Sequence, residues 1–70
     1  MQRERVDSSD IHSVGYDLSA QLMEIEFHSG GIYQYSNVPA NIHQQLMSAP
    51  SHGRYFHSYI RNKYPTQRIF

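Results

Sequence analysis

Seventy residues bound the chain to one domain with a modest core. It has no cysteine, so disulfide stapling is excluded and the composition suits a reducing compartment. Six acidic and six basic residues cancel, and no apolar run approaches the roughly 20 residues of a membrane span. Met1-Gln2-Arg3-Glu4-Arg5 is followed by no apolar stretch, so no signal peptide is expected. The expectation is a soluble cytoplasmic protein.

Residues 1–10 are polar and charged and read as a flexible N-terminal arm, with a single domain over 11–70. Ile11 to Leu18 places Val14, Tyr16 and Leu18 on one face of a first strand. Ser19-Ala20-Gln21 is a short connection. Leu22 to His28 then alternates cleanly, with Met23, Ile25 and Phe27 on one side and Glu24, Glu26 and His28 on the other. Ser29-Gly30-Gly31 signals a hairpin turn, and Ile32 to Ser36 makes a third strand. The parity of that hairpin loop decides where Tyr33 and Tyr35 point. A two-residue loop sets Tyr33 opposite Glu26; a three-residue loop joins both tyrosines to Met23, Ile25 and Phe27. His28-Ser29-Gly30, ending in a glycine able to adopt a left-handed conformation, fits the odd loop. That choice gathers the large apolar groups on one face, and a one-residue slip would mix them with Glu24, Glu26, Gln34 and Ser36.

Pro39 starts a helix that runs to Ser48, with Ile42, Leu46 and Ala49 at helical spacing. Ala49-Pro50 stops it, and Ser51 is the N-cap of a second helix over about His52 to Tyr64. Tyr55, Phe56, Tyr59 and Ile60 form its apolar stripe, and Arg54, His57, Ser58 and Arg61 face away. Lys63 lies near the apolar stripe but close enough to the helix end to snorkel. The tail Thr66 to Phe70 has no assigned position. The expected fold is α+β: a three-stranded antiparallel sheet with two C-terminal helices packed on its one apolar face. Tyr16, Ile25, Phe27, Tyr33, Tyr35, Tyr55, Phe56, Tyr59 and Ile60 are the expected core.

These stretches together resemble the KTSC domain. Its pattern is met in Ser8-Ser9-Asp10-Ile11, Val14-Gly15-Tyr16-Asp17, Phe27-His28-Ser29-Gly30, Tyr33-x-Tyr35 and Val38-Pro39. It continues through Ala49-Pro50-Ser51-His52-Gly53-Arg54-Tyr55-Phe56, Ile60-Arg61 and Tyr64. Ser29 stands where the resemblance suggests an acidic or amide residue, and serine also makes the turn. The family takes its name from a short module at the C-terminus of some lysyl-tRNA synthetases and also occurs as small stand-alone bacterial proteins. What the resemblance implies about function is an association with RNA.

Charge is polarised along the chain. All six acids lie in residues 1–26, against Arg3 and Arg5, whereas residues 27–70 hold Arg54, Arg61, Lys63 and Arg68 and no acid. Arg54, His57 and Arg61 follow i, i+3, i+7 and share one side of the second helix. Gly53, at its N-terminus, offers close approach to a phosphate. Tyr33 and Tyr35 as an exposed base-stacking platform is the weaker alternative, because that would put them beside Glu24 and Glu26, which repel phosphates. The five histidines show no metal-ligand spacing, and Ser51-His52 are sequence neighbours, which rarely have triad geometry. Glu24 and Glu26 on an open face lack the burial that tunes a catalytic carboxylate. The expected function is a non-enzymatic binding module without cofactor or metal. RNA is the leading partner, through Gly53, Arg54, His57, Arg61 and Lys63. The alternative is a protein-interaction module or homodimer formed through a sheet edge.

Overall fold

The computed structural model describes all 70 residues. The elements are β1 (Arg3–Arg5), β2 (Ile11–Asp17), β3 (Leu22–Phe27), β4 (Ile32–Tyr35), α1 (Ala40–Ser48), α2 (His52–Tyr59) and β5 (Thr66–Arg68). The strands form one antiparallel sheet in the order β1-β2-β3-β4-β5. The α+β class and the two helices stand, but the expected three-stranded sheet gains a strand at each edge. Arg3-Glu4-Arg5 and Thr66-Gln67-Arg68 carry no apolar alternation, and short charged strands are a common form for sheet edges. Residues 3–5 of the expected arm are therefore paired with β2.

The β3–β4 hairpin has the odd loop. The Phe27 N–H donates to the Gly31 carbonyl and the Gly30 N–H to the Phe27 carbonyl, both at 2.9 Å. These bonds enclose His28-Ser29-Gly30, with Gly30 at φ 111°, where a side chain would be strained. Tyr33 then lies opposite Ile25 and Tyr35 opposite Met23. Across β2, Val14 faces Ile25 and Tyr16 faces Met23, which completes the apolar face. A register shift between Ile11 and Ser13 turns Ile11 inward, opposite Phe27, and Ile11 is fully buried. Leu18, expected on this face, sits 68% exposed in the following turn. There the Asp17 carboxylate accepts from the Ser19 and Ala20 N–H groups and turns the chain before Leu18 can continue the strand.

Both helices cover this face, since Leu46, Phe56 and Ile60 join Val14, Met23, Ile25 and Tyr35 in one core. Tyr16, Phe27, Tyr33 and Tyr55 pack against its margin half-buried. The Tyr16 hydroxyl donates to the Val38 carbonyl at 2.6 Å, and its ring stacks on His43 of α1 with centroids 4.5 Å apart. Tyr59 is a correction to the expected core: it is 58% exposed and rests against Tyr55. The turn of helix that would carry it inward is the last one, and α2 ends there. Asn62 adopts φ 62°, a left-handed helix stop, so the helix does not reach Tyr64 and Lys63 lies beyond it in a turn.

The opposite sheet face is not the bare acidic surface that alternation suggests. Arg3 of β1 pairs with Glu24 and lies 3.7 Å from Glu26, and its Nε donates to Ser13 Oγ at 3.1 Å. Ser13 donates to Glu26 at 2.9 Å, and Gln34 donates to Glu24 at 3.0 Å. Glu24 is only 5% exposed. Burial pushes its carboxyl upward, but the Gln34 and Arg3 hydrogen bonds and the Arg3 charge outweigh burial and hold it below the usual glutamate range.

Two outcomes follow from this packing. Phe56, 3% exposed, meets Phe27 and Tyr35 edge-on at 5.3 and 5.6 Å. Phe56→Ala should cost about 3–5 kcal/mol, a large share of the stability of so small a domain; a thermal melt left unchanged would mean that α2 does not bury this ring. Glu24, with its folded pKa depressed, stabilises the fold above its unfolded pKa, and that contribution is lost as pH falls through the folded value. The wild type should therefore lose melting temperature on acidification below about pH 4.3 more steeply than Glu24→Gln. Parallel pH profiles for the two proteins would contradict the assignment.

Candidate nucleic-acid interface

Ser51 sets the start of α2. Its backbone is extended, and its Oγ accepts from the Arg54 N–H at 3.2 Å, as an N-cap does. The next residue ties the two helices together: His52 Nδ1 lies 2.8 Å from the Leu46 carbonyl, which can only accept, so Nδ1 donates. Ser51 and His52 thus serve as a cap and a helix link, not as a nucleophile and base. With Phe56 and Ile60 turned into the core, Arg54, His57, Ser58 and Arg61 are exposed on the outer side. Arg61 Nη1 lies 3.5 Å from His57 Nδ1, so these two share a side as the i, i+4 spacing requires.

Gly53 has a different role from the one its position suggests. It is buried, and a Cβ there would come 3.1 Å from Asp10 Oδ2 and 3.6 Å from Ser8 Oγ. The glycine admits the loop before β2, and a carboxylate occupies the ground where a phosphate was expected. Asp10 also lies 3.4 Å from His57 Nε2. The acid makes this end of α2 unfavourable to anions, which moves the candidate surface toward the other end of the helix.

At that other end α2 stops short of covering the sheet. A cleft of about 360 Å³ opens there, walled by the rings of Phe27, Tyr33, Tyr35 and Phe56. His57, Arg61 and Asn62 stand on its helix side and Thr66 of β5 on its sheet side. Arg68 of β5 lies opposite Tyr33, with its guanidinium carbon 5.6 Å from the ring centroid. Gly31 makes room for both groups: a Cβ there would fall 2.8 Å from Tyr33 Cε1 and 3.5 Å from Arg68 Nη2. Tyr35 is 4% exposed, and its phenol is pushed up to about 12 by burial and by Tyr33, with the Arg61 charge pulling the other way. It remains a neutral O–H at physiological pH.

The ion pairs of the molecule join Arg3 to Glu24 and Glu26, and the His57 ring approaches Asp10. Arg54, Arg61, Lys63 and Arg68 are exposed and have no acidic partner. Of the residues singled out from sequence, Arg54 and His57 stand on α2 and Arg61 just beyond its end, beside His57. Lys63 lies in the turn beyond, and Gly53 faces Asp10. Arg68 and Asn62 were missed. Arg68 belongs to a strand too short to read, whereas an asparagine shortly after a helical stripe is a helix-stop signal that could have found Asn62. The histidines do not converge: His12 and His28 meet edge-on at 5.2 Å, and no three His, Cys, Asp or Glu side chains gather. No helix is long and apolar enough to cross a membrane.

The KTSC domain family model matches residues 7–64. A protein of Stutzerimonas stutzeri is 41% identical over 61 residues, covering 87% of this chain and 86% of its own length. A lysine–tRNA ligase of Trichormus variabilis is 35% identical over 63 residues, 90% of this chain, but the chain spans only 11% of that enzyme. The crystal structure of a KTSC domain protein from Yersinia pestis superposes with a TM-score of 0.96 at 45% identity, over 99% of this chain and 97% of that one. The chain belongs to the KTSC domain family.

Proposed function

We propose that the domain is a non-enzymatic module that binds RNA on the side formed by the outer face and C-terminal end of α2 together with β5. The observation that carries this reading is the segregation of charge. Arg54, Arg61, Lys63 and Arg68 are exposed and pair with no Asp or Glu side chain, while Glu24 and Glu26 are held by Arg3 on the far side of the sheet. Arginine presents a planar fork of donors suited to phosphate oxygens. The related stretch within a lysine–tRNA ligase supports RNA as the polyanion. Such contacts fix position on a backbone and carry little sequence information, so binding should be weak and broadly tolerant. Engagement of Ser51, His52 and Glu24 in structural bonds favours binding over catalysis.

The alternative, pairing through a sheet edge to form a homodimer or a complex with another protein, has less to work with. Each edge strand is three residues long, and both carry charge, a form that discourages strand addition.

Fluorescence anisotropy with mixed single-stranded RNA at several salt concentrations separates the two. Contact with about three phosphates predicts a log–log salt slope near −2, because bound counterions are released. Arg54→Ala and Arg61→Ala should each weaken binding and flatten the slope by about 0.7. Glu24→Gln should leave affinity equal or slightly raised. Absence of binding at low salt, or arginine variants that bind like wild type, would overturn the RNA reading; salt-insensitive self-association would favour the edge.

A further inference from the structure

The cleft beside Arg61 has a composition that the phosphate contacts alone leave unexplained. Its walls are four aromatic rings, yet its rim is cationic and polar. At about 360 Å³ it is near the lower end of the roughly 300–1,000 Å³ range of ligand clefts, room for a single ring system. Tyr35 adds a polar group to the cleft. The hydroxyls of Tyr16 and Tyr55 are hydrogen-bonded within the chain, to the Val38 carbonyl and Gln45 Oε1. The Tyr35 ring is 96% buried, yet its hydroxyl has no hydrogen-bond partner in the fold and is not sealed off. Since Tyr35 lines the cleft, that O–H opens into it. Water satisfies that O–H in the free protein, and a ligand entering the cleft can take the water's place.

We infer that this cleft is a nucleotide subsite, taking one unstacked base against its half-buried rings, Phe27 and Tyr33, with the attached phosphate toward Arg61 and Arg68. The base edge meets the Tyr35 hydroxyl and the Asn62 amide, which offers both a donor and an acceptor. Aromatic rings accept any base face, so the subsite adds affinity with little sequence preference. The cationic rim distinguishes a nucleotide from a purely apolar ligand, and the phosphate lies away from Asp10, which borders the neighbouring hollow beyond His57. The subsite deepens the RNA reading and rests on it for the source of the nucleotide; a free mononucleotide would present the same chemistry.

The test compares an oligouridylate, the same strand with one abasic position, and uridine monophosphate, against wild type and Tyr35→Phe. Tyr35→Phe keeps the ring and its packing and removes only the hydroxyl. Aromatic carbon–proton NMR reports the cleft directly, and anisotropy reports affinity for the strand. The expected result is upfield shifts of the Phe27 and Tyr33 ring protons, with an affinity loss of about fivefold in Tyr35→Phe. Tyr33→Leu should lose about tenfold through the stacking wall. RNA binding with unmoved ring protons and a fully competent Tyr35→Phe would overturn the subsite while leaving the phosphate-binding surface intact. Ring shifts with the mononucleotide but no binding of the strand would uphold the subsite and overturn the RNA reading. No response to either ligand would overturn both.

Discussion

The register of β3 against β4 is the constraint on which the rest of the molecule depends. Three residues, His28-Ser29-Gly30, separate Phe27 from Gly31, and Gly30 supplies the positive φ that closes the turn. Because side chains alternate with period two, a loop one residue shorter would carry Tyr33 and Tyr35 to the side of Glu24 and Glu26. The helices would then meet Ile32, Gln34 and Ser36 of β4 in place of the two tyrosines, and Phe56 would lose Tyr35 from beneath it. The observed register instead brings Tyr35 under Phe56 and Tyr33 to the margin, so the same turn that builds the core also builds the wall of the cleft.

The same alternation explains why the chain is electrically two-sided. Placing the aromatic set under the helices leaves Glu24 and Glu26 on the other face, where Arg3 of β1 answers them. An edge strand with so little apolar content is held by its ladder and by this ion-paired network, not by burial in the core. With Arg3 committed there, four of the five exposed cations without an acidic side-chain partner, Arg54, Arg61, Lys63 and Arg68, lie on α2, the turn after it and β5, and the fifth, Arg5, lies on β1. Asp10 is the exception, an acid set against Gly53 and His57 at the start of α2.

Much of this was legible in the sequence, and the rest was hidden for physical reasons. Clean alternation from Met23 to Phe27 and the glycine at the end of the loop were enough to orient both tyrosines. Ser51 announced the cap of α2, and Phe56 and Ile60 of its expected stripe are buried. The edge strands escaped notice because three polar residues carry no periodic signal, and their pairing is dictated by neighbours far along the chain. Ile11 escaped because the bulge at His12 breaks the alternation that would have put it with Ser13. Tyr59 was drawn into the expected core by helical spacing, but spacing cannot tell where the helix stops relative to the sheet beneath it. The site was half legible: Arg54, His57 and Arg61 stand in sequence at helical intervals. Its cleft joins Tyr35, Asn62 and Thr66, which meet only through the fold.

The central claim is that this domain meets its partner on the side built from α2, the turn after it and β5. Amide chemical-shift mapping of the labelled domain during titration with single-stranded RNA tests it most directly, since every part of the surface is observed at once. Shifts concentrated at Arg54, His57, Arg61 to Lys63 and Thr66 to Arg68, and absent from β1 and the Leu18 turn, are the result this account predicts. Shifts running along β1, or a spectrum unchanged by RNA at low salt, would contradict it.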